Sequence, residues 1–216
     1  MIDLTSIWLT LKVASFATLS AFTVGVAIAW IVSMGNFRGR EWLDALMALP
    51  LVLPPTVLGY YLIVLFGRRG WLGNQLYETF GISLIFTWQG AVLAAAIVSL
   101  PLVYKSAKSA FEEVNKDFEN AARTLGSSEL AIFCRISFPL ASRGILAGSM
   151  LAFARAMGEF GATLMIAGNL PGKTQTLSMA VYDAVQAGHG SQANILVLTT
   201  STLCAFILYF AGKLIK

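Results

Sequence analysis

Charge is what this 216-residue chain has least of. Asp, Glu, Lys and Arg make up 12% of it, about half the share usual in water-soluble domains, while hydrophobic residues reach 57%. That leaves too little polar surface to coat a globule in water, so the chain belongs in lipid. Histidine occurs once, as His189 between Gly188 and Gly190, and reads as a solvated loop residue. Cysteine occurs twice, at Cys134 and Cys204, with neither a paired spacing nor an oxidising setting, so both read as inert packing residues. No set of His, Cys and acids has metal-ligand spacing, and no Ser, His and acid arrangement suggests hydrolysis. A Gly-x-x-x-x-Gly-Lys-Ser/Thr loop is also missing, which assigns any nucleotide energy to another chain. A net charge of +4 would suggest nucleic acid in a soluble chain, but no interleaving of aromatic and basic residues supports such a surface.

What the chain does have is long apolar runs. Spanning about 30 Å of hydrocarbon takes roughly 20 apolar residues as a helix. Five windows qualify: Val13–Val32, Ala45–Phe66, Ile82–Tyr104, Ile145–Ala167 and Ile195–Leu214. Each is predicted helical, because lipid offers backbone groups no other partner. No remaining loop is long enough for a second core, so residues 1–216 are expected to form a single all-α transmembrane domain.

Basic residues orient it. Arg38 and Arg40 follow span 1; Lys105, Lys108, Lys116, Arg123, Arg135 and Arg143 separate spans 3 and 4; Lys213 and Lys216 close the chain. Arg68, Arg69 and Lys173 fall on the other side, so the bias predicts the N-terminus outside and the C-terminus inside. Lys12, just outside span 1, weakly opposes this. A cleaved signal peptide competes for the first segment, since Ala27-Ile28-Ala29 imitates a cleavage site. Against it, the apolar run passes straight through that site and ends in arginines, as a stop to translocation should.

Two spans carry unusual residues. Pro50, Pro54 and Pro55 remove backbone donors within span 2, which predicts a kink or carbonyls freed toward a neighbour. Packing alone or gating would account for it. Thr56 and Gly59 follow, offering a hydroxyl and a close backbone approach along a pore. Arg155 and Glu159 are the only charges deep in any span; four residues apart, they can pair as a structural clasp, or Arg155 can present positive potential to a passing anion. Gly158, Gly161 and Ala162 allow close helix approach, so span 4, including Thr163, is expected to line a central pathway against a second copy.

Between spans 3 and 4 lies a charged insert. Phe111–Leu125 is predicted to form a helix with Phe111, Val114, Phe118, Ala121, Ala122 and Leu125 near one face and acids near the other. Gly126 can end it in a left-handed conformation, and Ser127 or Ser128 can cap a second helix, Glu129–Ile136. An interfacial helix on lipid headgroups would explain the amphipathicity but neither the acids of Glu112–Glu119 nor the bend.

Ala121-Ala122, three residues, Gly126, nine residues, Ile136-Ser137-Phe138-Pro139 resembles the cytoplasmic EAA loop of prokaryotic ABC importer permeases, whose pattern is E-A-A, three residues, G, nine residues, I-x-L-P. Asn120 stands where glutamate is usual, with Glu119 one place earlier, and Phe138 replaces leucine. Leu49–Pro55 with Gly59-Tyr60, Gly67–Gly70, Trp88–Ala96 and Phe153–Ala162 are similar to the molybdate branch; sulfate permeases are similar around Gly158–Gly161. The resemblance implies a fold of about five transmembrane helices with a cytoplasmic coupling helix. It implies an ATPase-docking loop of Glu119, Asn120, Ala121, Ala122, Leu125, Gly126, Ser127, Leu130, Ile136 and Pro139. It further implies a permease pair in a bacterial or archaeal plasma membrane, two cytoplasmic ATPases holding ATP and Mg, and an external binding protein delivering molybdate, with another oxyanion, tungstate or sulfate, as the alternative cargo. No cofactor is expected on this chain. Alternating access would then move the knob with the ATPases. A membrane enzyme would lack a reactive cluster here, and a passive channel would leave the knob unexplained.

Overall fold

The computed structural model describes residues 4–35 and 37–214; Lys216 of the charge bias lies outside them. Every regular element among them is helical. Helix α1 (Leu4–Met34) runs through the imitated cleavage site without a break and contains Lys12, so span 1 begins earlier than the apolar window. It is followed by α2 (Arg40–Val52), α3 (Pro55–Phe66), a short α4 (Trp71–Phe80) and the long α5 (Trp88–Glu112). The insert forms α6 (Lys116–Thr124) and α7 (Glu129–Ile132), and a π turn, Phe133–Ser137, leads into α8 (Phe138–Met157). The chain closes with α9 (Gly161–Ala167), α10 (Leu177–Gln186) and α11 (Gly190–Leu214).

The helices α1, α5 and α11, and the run Glu129–Met157, are each long and apolar enough to cross a membrane. The pair α2 and α3 qualifies as one further span only if broken, since the two helices meet at 113°. Pro50 is accommodated inside α2, whereas Leu53 turns extended and Pro54 and Pro55 restart the chain as α3. The kink expected in span 2 is therefore a full break. Span 4 departs further from a continuous helix: it stops at Met157 and resumes at Gly161. Helices α4 and α10, ten residues each, are too short to register as spans in the hydropathy of the sequence.

Small residues bring α1, α5 and α8 together. Ala14, Ala17, Ala21 and Ala29 of α1, Ala91, Ala94 and Ala95 of α5, and Ala152 and Ala156 of α8 are all buried. In lipid, where apolar surface alone does not drive helices together, such close backbone approach supplies the packing energy. Long apolar side chains such as Phe16, Leu19, Leu198 and Phe206 instead point outward. At the far end of the bundle, the Thr10 hydroxyl accepts the Leu177 N–H at 2.8 Å, tying α1 to the start of α10.

Candidate functional site

The insert builds a compact knob by local bonds. The expected single helix Phe111–Leu125 is divided: α5 runs on to Glu112, and Asn115 restarts the chain by accepting the Asp117 N–H at 2.9 Å. Gly126 then takes φ +79, left-handed as expected, while the Ser127 N–H reaches back to the Ala122 carbonyl and the Gly126 N–H to that of Arg123, both at 3.0 Å. This is a Schellman ending, which satisfies carbonyls the helix would leave open. Ser128, not Ser127, caps α7, by accepting the Ala131 N–H at 3.3 Å. The second helix is shorter than the predicted Glu129–Ile136, because the backbone widens into the π turn at Phe133.

Arg123 holds the two short helices together. Its guanidinium donates to both oxygens of Glu129, at 2.7 and 3.1 Å, and to the Asn120 Oδ1 at 3.0 Å. Its bonds to the Glu129 carboxylate hold the Arg123 pKa above the ordinary arginine value. Asn120 thus joins the network in place of a glutamate, and Glu119 lies 3.7 Å from Arg123 while accepting the Ser137 hydroxyl at 2.7 Å. The knob is fixed to the bundle by rings: Phe133 of the π turn lies 4.5 Å from Trp30 and 5.6 Å from Phe138, centroid to centroid. Arg123 and Ser137 were missed as functional positions; the signal was the spacing of Arg123 from Glu119, Asn120 and Glu129.

Although its polar side chains bond to one another, α6 buries none of its residues. Phe118, Leu125 and Leu130 stand exposed, at 57%, 85% and 66%. Ala121 is exposed beside them, Ala122 and Ile136 are half-covered, and Pro139 is exposed at the start of α8. Burying one such leucine or phenylalanine against a partner stabilises a complex by roughly 1.5–3 kcal/mol. Cys134, expected to be packed, is exposed on the π turn, and Cys204 is half-buried.

The two broken spans meet each other. A Cβ added at Gly59 would lie 2.5 Å from the Met165 Cβ, and one at Gly161 would lie 2.8 Å from that of Pro55, so α3 and α9 pack backbone to backbone. At the break itself Arg155 pairs with Glu159 at 2.8 Å, and the other Glu159 oxygen accepts the Ala162 N–H at 2.9 Å. One carboxylate therefore closes the end of α8 and receives a donor from the first turn of α9. Its side chain is 1% exposed, that of Arg155 35%. Pro54, Pro55, Thr56 and Gly158 are exposed around this junction, whereas Thr163 turns inward with its hydroxyl unpartnered. Among the described residues, no group of His, Cys, Asp and Glu could hold a metal ion.

A helical membrane bundle with broken central spans and a bare knob for a partner belongs to the transporter permeases. Residues 21–215 match the binding-protein-dependent transport system inner membrane component family, and the chain belongs to that family. It is 44% identical over 202 residues to the molybdenum transport system permease protein ModB of Escherichia coli strain K12, covering 94% of this chain and 88% of that one. It is 43% identical to the putative molybdenum transport system permease protein YvgM of Bacillus subtilis, covering 95% and 91%. The sulfate transport system permease protein CysT of Escherichia coli is 38% identical, over 82% of this chain and 64% of that protein. Among solved structures, an inward-facing MetNI methionine ABC transporter chain superposes with a TM-score of 0.75 at 15% identity, covering 97% and 93%. A chain of the bacterial alginate ABC transporter, solved with its alginate-loaded periplasmic protein, also superposes with a TM-score of 0.75, at 16% identity over 96% and 76%. The resemblance read from the Ala121–Pro139 motif is borne out, as are the permease role and the all-helical membrane fold.

Proposed function

We propose that this chain is the membrane subunit of an ATP-driven importer of molybdate. Two copies form the pathway, two ATP-binding subunits grip the knobs from the cytoplasm, and an external binding protein supplies the anion. The knob carries the reading: a nine-residue helix that buries none of its residues, beside exposed Leu125 and Leu130, has a partner's groove as its natural complement. Molybdate is favoured over sulfate by the 44% identity to a molybdenum permease against 38% to a sulfate one. ATP and Mg belong to the partner subunits.

In this scheme ATP binding draws the two ATPases together and pulls on α6. The rigid Arg123 network passes the displacement through the π turn to α8, and the broken spans reorient around the junction of α3 and α9. Weak polar contacts in the cavity suit the task, because a tight site would not release; affinity resides in the binding protein. The knob side is the cytoplasmic side of the plasma membrane, or of the inner membrane where there are two, by the excess of Lys and Arg flanking it. The permease is purified with its ATPase, placed in vesicles, and supplied with binding protein loaded with molybdate, tungstate or sulfate. Molybdate should give the fastest ATP hydrolysis and uptake; sulfate-driven uptake without molybdate uptake would refute the assignment.

A further inference from the structure

At the end of the bundle away from the knob, a cleft of about 430 Å³ opens between the start of α1, the Phe86–Gln89 segment and the Gly172–Lys173 loop. Neither the knob nor the broken spans use it. Its walls include Trp8, Lys12, Phe86, Trp88, Gln89 and Lys173, with no acid among the described lining residues. Lys12 Nζ lies 3.7 Å over the Trp88 ring. Neither lysine has a carboxylate partner among the described residues. A cation this far along an apolar helix is costly unless a π face or an anion receives it. Phe86 is held at φ +59, a strained setting for an aromatic residue, by its N–H bond to the Ile166 carbonyl at 3.0 Å, so this wall is preformed.

Below the cleft the chemistry changes to apolar. Trp8, Lys12, Phe16 and Leu19 succeed one another at helical spacing on one face of α1. Trp8, Phe16 and Leu19 are exposed, and the Phe16 ring lies 5.8 Å from that of Trp88. Lys12 to Leu19 spans roughly 10 Å along the helix axis, at about 1.5 Å per residue. Two cations above an apolar strip fit an amphiphile, with tryptophans where headgroup and tail meet.

We propose that this cleft binds an anionic phospholipid, its phosphodiester against Lys12 and Lys173 and an acyl chain along Phe16 and Leu19. A free oxyanion shares the phosphate chemistry but leaves the strip uncovered. The full-length permease, purified in detergent, is offered equal phosphatidylglycerol and phosphatidylcholine, and retained lipid is counted by native mass spectrometry. Phosphatidylglycerol should be favoured by about twenty-five-fold, roughly fivefold for each lysine. Lys12→Gln with Lys173→Gln should abolish the preference, Lys173→Gln alone should reduce it about fivefold, and Lys213→Gln outside the cleft should leave it intact. Phe16→Ser with Leu19→Ser should lower retention while both lysines remain. Unchanged preference in the lysine variants overturns the proposal, as does displacement of the lipid by inorganic phosphate or molybdate together with indifference to the serine substitutions.

Discussion

Gly161 and Pro55 approach so closely that a methyl group on Gly161 would sit 2.8 Å from the Pro55 Cβ. This contact joins the restart of span 2 to the restart of span 4. Neither side has a flexible atom to move aside, because the proline ring is rigid. Gly161→Ala should therefore destabilise the purified permease by about 1–3 kcal/mol, the usual cost of overpacking. At Gly158 the nearest atoms to an added Cβ are 3.9 Å away, so Gly158→Ala should be tolerated. Thermal unfolding of the two variants decides: equal melting temperatures would mean that α3 and α9 are not packed this way.

Gly126 tests the knob by a different route. Nothing lies within 4 Å of a Cβ added there, yet its φ is +79, so the penalty is purely one of backbone conformation. Gly126→Val should lose transport while the permease still inserts, since a β-branched residue is strongly disfavoured in the left-handed region. Gly126→Asn should keep most activity, because asparagine tolerates that region. Normal uptake with valine would show that the Schellman ending is dispensable.

The Arg155–Glu159 clasp makes an asymmetric prediction. Glu159 is the deeply buried member, so Arg155→Met strands a carboxylate and should cost on the order of 3–5 kcal/mol. Glu159→Gln should be milder, because an amide oxygen can still accept the Ala162 N–H. Combining Arg155→Met with Glu159→Gln should restore much of the assembly. Uptake per assembled complex then separates the roles. A double variant that assembles and hydrolyses ATP without transporting would place Arg155 in the anion's path.

Orientation is open to chemical labelling. In a background lacking Cys134 and Cys204, cysteines at Ser127 and Lys173 lie at opposite ends of the bundle. An impermeant thiol reagent on intact cells should label position 173 only, given the charge bias. Labelling at position 127 in sealed cells would invert the topology.

The Arg123 network should matter more for coupling than for folding. Its ion pairs are solvent-exposed, and such pairs contribute about 0.2–1 kcal/mol each, so Arg123→Ala should barely shift the melting temperature. It should raise ATP hydrolysed per anion carried, because α6 and α7 would then move independently. An unchanged ratio would remove Arg123 from the coupling path.

The amino-acid sequence by itself determined that the chain lies in lipid, because too few charges exist to do anything else with so much apolar surface. It also determined where the knob bends, since Gly126 is the residue that can turn left-handed there without strain, and Arg155 and Glu159 already stood out as charges within a span. Helical periodicity and window hydropathy are blind to breaks, however. Ile145–Ala167 reads as one helix because every residue near Gly158 is compatible with either state, and the choice falls to the Glu159 carboxylate, which can cap α9 only once Arg155 and the surrounding helices have buried it. In the same way Pro54 and Pro55 announced a disturbance in span 2, but the 113° turn depends on α3 finding α9 through Gly59 and Gly161. Contacts between segments a hundred residues apart leave no local trace, and only the tertiary structure decided them.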